Sequence, residues 1–177
     1  MEKDIQEILI SEQEIQRRVA DIGAKISRDF ADKDPIFIGV LKGCFIFMAD
    51  LMRYVTVKCS MDFMAVSSYK GTTSTGAVSI DKDLSQPIEG RHVIIVEDIL
   101  DSGVTLNYLK GYLMMRKPAS ITIATLMDKP SRRKADIYAD YSCFEVPDAF
   151  VVGYGLDYNQ RYRNLPYIGV LKSEIYS

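Results

Sequence analysis

Residues 93–100 read Val-Ile-Ile-Val-Glu-Asp-Ile-Leu, four consecutive apolar side chains followed by two acids. A strand with one wet face alternates polar and apolar residues, so an unbroken apolar run needs cover on both faces. The run is placed as a strand at 92–96, with the acids beyond its end. Comparable β-rich runs occur at 36–41, 62–67, 121–127 and 150–152, separated by helix-like stretches that include 45–54 and 105–117. Short buried strands alternating with helices predict βαβ units and an α/β fold: a mostly parallel twisted sheet flanked by helices.

Ile15, Val19, Ile22 and Ile26 recur at helical spacing across 12–30, and Ser11 with Glu14 has the form of a capping box. In the 105–117 segment Leu106, Leu109 and Leu113 form a stripe for docking on the sheet, and Pro118 closes the helix. No linker, repeat or low-complexity tract divides the chain, so residues 1–177 read as one domain. The stretch after Tyr69, Lys70-Gly71-Thr72-Thr73-Ser74-Thr75-Gly76-Ala77, is small and polar. It is expected to be mobile without a ligand, either as a functional loop or as an ordinary hairpin tip.

A formal charge of −2, from 22 basic and 24 acidic residues, supplies no bulk attraction for a nucleic-acid backbone, and no nucleic-acid partner is expected. Cys44, Cys59 and Cys143 are odd in number and lack C-x-x-C spacing, which argues against a disulfide framework or zinc knuckle and for a reducing, cytoplasmic setting. The single histidine, His92, opens a strand and reads as structural. Met1-Glu2-Lys3-Asp4 is polar, unlike a signal peptide, and no apolar stretch approaches the ~18 residues of a membrane span, so no membrane association is expected.

The chemistry concentrates between Glu97 and Thr105. Ligands of open α/β sheets bind at the carboxyl ends of the strands. There, Asp101-Ser102-Gly103-Val104-Thr105 can aim backbone N–H groups at an anion, with Gly103 allowing the turn, two hydroxyls donating and a helix N-terminus behind. The spacing is not that of a Walker loop, and three carboxylates would repel a phosphate unless they faced something else. Ribose hydroxyls and a hard divalent cation suit Glu97 and Asp98. The same residues also fit a plain helix cap preceded by surface acids.

Two apolar-flanked acids followed by Asp-Ser-Gly-x-Thr resemble the phosphoribosyl-diphosphate motif of the type I phosphoribosyltransferases. The similarity extends to Leu41-Lys42-Gly43, Ser68-Tyr69, Lys129, the stretch from Pro147 to Asn159, and Arg163, in the order and spacing of the hypoxanthine-guanine branch of that family. The resemblance covers nearly the whole chain. It implies the type I phosphoribosyltransferase fold, with a small hood and a mobile lid loop after Tyr69. It also implies Mg²⁺-dependent transfer of the 5-phosphoribosyl group from phosphoribosyl diphosphate to N9 of a 6-oxopurine, in purine salvage, by a homodimer or homotetramer.

By that resemblance the 5′-phosphate sits on Asp101, Ser102, Gly103, Val104 and Thr105, while Glu97 and Asp98 hold ribose hydroxyls and metal. Lys42, Gly43 and Arg163 neutralise the pyrophosphate, and Arg161 is a decoy for Arg163. A cis peptide is implied at Leu41-Lys42. Asp101 matches the general base that takes the N7 proton, and Lys129 the contact to the purine 6-oxygen. An ammonium group only donates, which suits a 6-oxo acceptor and not the 6-amino group of adenine. Phe150 offers a face for the base, Val151 and Asp157 meet the purine edge or a metal, and Ser68 and Tyr69 contact substrate at the lid. Cys44 stands where other small residues are common. Two other readings are open: a phosphoribosyltransferase for xanthine or a pyrimidine, or an effector sensor on the same fold that binds DNA or protein.

Overall fold

The computed structural model describes residues 1–68 and 78–177. Among these, β2 (Ile36–Leu41), β3 (Ser60–Ser68), β4 (Val78–Lys82), β5 (His92–Leu100), β6 (Ser120–Asp128) and β7 (Tyr141–Glu145) form one sheet in the order β4-β3-β2-β5-β6-β7. The pairings from β3 through β7 are parallel, and β4 lies antiparallel on the β3 edge. A second, antiparallel sheet joins β1 (Ile5–Ile10), β9 (Ile168–Leu171) and β8 (Val151–Val152), in the order β1-β9-β8.

Alternation along β5 explains why its apolar run is unbroken. Ile94 and Val96 pack on the side covered by α1 (Glu12–Asp29) and α2 (Phe45–Tyr54), while Val93 and Ile95 pack on the side of α3 (Val104–Met114). Leu106, Leu109 and Leu113 of α3 are buried as the stripe requires. The α1 cluster also takes in Ile10, Ile168, Val170 and Val151, so the two sheets share a core.

At the start of α1, Ser11 Oγ accepts from Glu14 N at 3.3 Å, and Glu14 Oε2 accepts from Ser11 N at 2.9 Å. Ser11→Ala breaks this reciprocal cap and is expected to lower Tm by about 2–4 °C in a melt followed by circular dichroism. His92 is structural: its Nδ1 lies 2.8 Å from Ser120 Oγ, and its ring meets Phe30 edge-on.

Several boundaries differ from the sequence expectation. β5 continues to Leu100 because β6 pairs with it to the end, Glu97 against Thr125 and Leu100 against Asp128, so both acids lie within the strand and not beyond it. α3 begins at Val104 and stops at Met114, short of 117, with Lys117 at φ +54°. Pro118 disfavours helical geometry in the residue before it, which moves the stop upstream. The strand expected at 150–152 begins at Val151, and the strand expected at 62–67 extends from Ser60 to Ser68. β1, β4, β7 and β9 were not foreseen. The lid expectation, Tyr69 and the Ser68 side chain lie outside the described residues. Among the described residues no helix is long and apolar enough to cross a membrane.

Candidate active site

At the carboxyl ends of β2 and β5, a cavity of 290 Å³ is lined by Gly43, Glu97, Asp98, Asp101, Ser102, Gly103 and Thr105. Its floor comes from the turn into α3. Gly103 adopts φ +77°, and a Cβ there would lie 2.5 Å from Ile137 Cγ2, so only glycine fits. The amides of Gly103 and Thr105 donate to no acceptor among the described residues, and they stand at the positive end of α3. The Val104 side chain is exposed and outside the cavity, so only its backbone belongs to the cradle.

Behind the floor is a residue that sequence reasoning missed. Arg133 donates from Nε to Asp101 O at 3.1 Å, from Nη1 to Ile137 O at 2.7 Å and from Nη2 to Leu100 O at 3.4 Å, and it pairs with the Asp128 carboxylate. Ser102 O in turn accepts from the amides of Lys134 and Ala135, at 2.9 and 3.1 Å. The loop is thus clamped by the segment that follows β6. In sequence, Arg132-Arg133-Lys134 is indistinguishable from a solvated basic run.

The acids sit in an unfavourable environment for charge. Glu97 Oε2 is buried without a hydrogen-bond partner among the described residues, and burial followed by the neighbouring Asp98 raises the pKa of Glu97 well above the usual carboxylate range. Burial pushes Asp98 up to about 6, against hydrogen bonds from the Ile99 and Asp98 amides and the positive charge of Arg163. A Cβ on Gly43 would lie 1.7 Å from Asp98 Oδ2, and one on Gly155, at φ +105°, would lie 2.2 Å from Gly43 O. Backbone, backbone and carboxylate are therefore stacked with no room for a methyl group.

The Leu41–Lys42 peptide is cis. Lys42 Nζ and Arg163 Nη2 converge on Gln160 Oε1, at 3.3 and 3.1 Å, while Arg163 also donates to Gly155 O at 2.7 Å and pairs with Asp157 at 2.9 Å. Arg161 is exposed beside Tyr158 and Asn159, away from this group, which separates the decoy from Arg163. The Asp157 carboxylate is committed to Arg163 and to the Gln160 amide. Among the described residues no three His, Cys, Asp or Glu side chains are grouped to hold a metal unaided. Cys44 is fully buried, and burial together with Glu97 and Asp98 raises its thiol pKa, so it stays protonated and inert.

A second cavity, of 440 Å³, is lined by Lys129, Asp148, Phe150, Val151, Leu156 and Tyr176, and shares Ile99 and Asp101 with the first. Lys129 is buried and donates to Ala149 O at 2.6 Å. Asp101 Oδ1 lies 2.9 Å from Arg132 Nε, out of line for a hydrogen bond, and Arg132 also reaches Asp148 at 3.2 Å. Ile99, Leu156, Arg132 and Tyr176 were not anticipated. Each is an ordinary apolar, basic or aromatic residue until the fold brings it to this wall. A polar cavity with an anion cradle thus meets a less polar cavity with one buried cation, and Asp101 stands at the junction.

Comparison with known proteins identifies the family. The sequence profile of the phosphoribosyl transferase domain matches residues 6–159. The chain is 58% identical over 177 residues to a hypoxanthine-guanine phosphoribosyltransferase of Bacillus subtilis, covering 99% of this chain and 98% of that protein. It superposes with a TM-score of 0.96 on a hypoxanthine phosphoribosyltransferase from Staphylococcus aureus, at 50% identity, covering 100% of this chain and 97% of the other. A hypoxanthine phosphoribosyl transferase from Trypanosoma cruzi aligns with a TM-score of 0.93 at 42% identity, covering 98% and 95% of the two chains. That structure concerns the role of its C-terminal region in oligomeric state and enzymatic activity.

Proposed function

This chain belongs to the phosphoribosyltransferases, and from that premise we propose that its two joined cavities divide one reaction between them, the first taking phosphoribosyl diphosphate and the second a 6-oxopurine. The chain is an enzyme of purine salvage, transferring a phosphoribosyl group to hypoxanthine or guanine. The observation that carries the division of labour is the position of Asp101, which lines both cavities.

In this reading the 5′-phosphate accepts from the amides of Gly103 and Thr105 and from the hydroxyls of Ser102 and Thr105. The ribose lies toward Glu97 and Asp98. Lys42 and Arg163 leave their shared Gln160 acceptor for the pyrophosphate, and the Gly43 amide adds a donor. The base lies on Phe150 with its 6-oxygen at Lys129 and its edge at Val151. The bond between C1 and the pyrophosphate oxygen breaks with its electron pair leaving on pyrophosphate, the bond from N9 to C1 forms, and the N7 proton passes to Asp101.

Magnesium fits the oxygen donors available. Glu97 Oε2 is an orphaned buried carboxylate atom, Asp98 is adjacent, and a divalent cation commonly binds through one or two carboxylates completed by substrate oxygens and water. Asp157 would join this set only by releasing Arg163. When bound, magnesium supplies charge neutralisation at the diphosphate.

Residues 1–177 act as one domain in this reading, supported by the core that the two sheets share. Association into a dimer or tetramer is supported by family membership, one structural relative having been studied for the oligomeric state of its own chain. A cytoplasmic location is supported by three unpaired cysteines.

The test is nucleotide formation from phosphoribosyl diphosphate and Mg²⁺, with hypoxanthine, guanine, xanthine, adenine and uracil supplied separately. Product from hypoxanthine or guanine and none from adenine is expected; equal use of adenine would remove the Lys129 assignment. Lys129→Met is expected to lower kcat/KM for hypoxanthine by about 10- to 100-fold, the worth of one hydrogen bond from a charged donor. KM for phosphoribosyl diphosphate should stay within about twofold, because the anion cradle of the other cavity is untouched.

A further inference from the structure

Tyr176 stacks on Phe150, with ring centroids 4.6 Å apart and planes 19° from parallel. Tyr158 meets Phe150 from another direction, at 5.7 Å and 85°. Tyr176 belongs to α4 (Ser173–Tyr176), a single turn whose lead-in is tied to two other segments. Leu171 N donates to Phe150 O at 2.9 Å and Lys172 N to Asp4 O at 2.9 Å, while Ile175 packs on the cluster of Val152, Tyr162, Leu165 and Leu171. Tyr176 also lines the cavity that contains Lys129 and Asp101.

Phe150 remains 39% exposed despite these two aromatic neighbours. A phenyl ring at a cavity mouth without cover rotates among rotamers, and a planar ligand stacking on it must pay for fixing it. With one face held by a near-parallel ring and its motion limited by an edge-on ring, that ordering is complete before the ligand arrives. We infer that Tyr176 is a positioning residue of the base site: it holds the plane of Phe150 so that the opposite face of that ring is presented to the purine. This rests on the base-site reading above.

The aromatic pair should act on base affinity and not on the transfer step, because Tyr176 stacks on Phe150 and lines the base cavity but does not line the cavity assigned to phosphate and ribose. In steady-state assays of the full chain, Tyr176→Ala is expected to raise KM for hypoxanthine and guanine about fivefold, the usual size of an aromatic pair's contribution. Values of kcat and of KM for phosphoribosyl diphosphate should stay within about twofold. Tyr176→Phe, which keeps the ring, is expected to restore the base KM. Tyr176→Leu, which keeps apolar bulk for packing α4 without the ring, should behave as the alanine variant does; it carries the test if alanine unfolds the segment.

An unchanged base KM in both the alanine and leucine variants overturns the inference, since the stack would then be incidental. A lowered base KM also overturns it, by showing that Tyr176 occupies the place the base needs. These outcomes differ from failure of the base-site reading, which would appear as a wild-type chain that forms no nucleotide from any 6-oxopurine and would remove the inference with it.

Discussion

Asp101→Asn is expected to lower kcat by about 10²- to 10⁴-fold, the range that a positioned proton acceptor contributes. The amide keeps the shape of the carboxylate but cannot take the N7 proton. KM for either substrate should move by less than about threefold, because the backbone of the cradle and the Arg133 clamp on Asp101 O are indifferent to the side chain. Arg132 keeps its second partner, Asp148, so the basic side chain is not left stranded when the first carboxylate is removed. Steady-state kinetics of the forward reaction read both numbers. A kcat within a few-fold of wild type would take the proton from Asp101 and leave the residue as an anchor of the loop.

Gly155→Ala should have the next largest effect, through geometry alone. The added Cβ would lie 2.2 Å from Gly43 O, and φ at this position is +105°, so the substitution combines a clash against backbone with a conformation that L-residues avoid. Neither turn can yield cheaply. Gly155 is fixed by Arg163 through its carbonyl at 2.7 Å and through its amide at 2.9 Å, and Gly43 is backed by Asp98 Oδ2 with no space between. The displacement should therefore reach the Asp98 carboxylate. A shift of about 1 Å at a substrate-positioning group is enough for a loss of about 10² in kcat/KM, and the strain should lower Tm by about 5–10 °C. Gly111→Ala is the matched control, since a Cβ there meets nothing within 4 Å and the position is inside α3. Replacing a mid-helix glycine should raise Tm slightly, by about 2 °C. If Gly155→Ala melts and turns over as Gly111→Ala does, the three-layer contact has no bearing on function.

How much of this was legible in the sequence depends on the range of the interaction. The β5 run announced a strand covered on both faces because burial acts on every residue locally, and the small residues from Asp101 to Thr105 announced a turn with donors because that chemistry is local too. The Ser11 cap was readable for the same reason. The second sheet was hidden, since β1 and β9 are separated by most of the chain and one exposed face of β1 carries Gln6 and Glu7, which dilute its apolar pattern. Placing Glu97 and Asp98 within β5 needed the register of β6, which no reading of β5 alone supplies. Likewise nothing in Arg133 distinguishes it from Arg132; one is a clamp with three carbonyl acceptors and the other a half-exposed cation at the cavity mouth, and the difference is made by Leu100, Asp101 and Ile137.

The clamp behind the cradle has a mechanical consequence. Lys129 N is bonded to Leu100 O, Arg133 grips Leu100 O and Asp101 O, and Lys134 and Ala135 hold Ser102 O, all within the seven residues from Lys129 to Ala135 that follow β6. The purine and the phosphate occupy opposite ends of a nucleotide, yet the backbone of Lys129, proposed to read the one, and the scaffold behind the proposed seat of the other are rungs of the same ladder. In the proposed reading, one short segment after β6 thus sets the span between the two ends of the product.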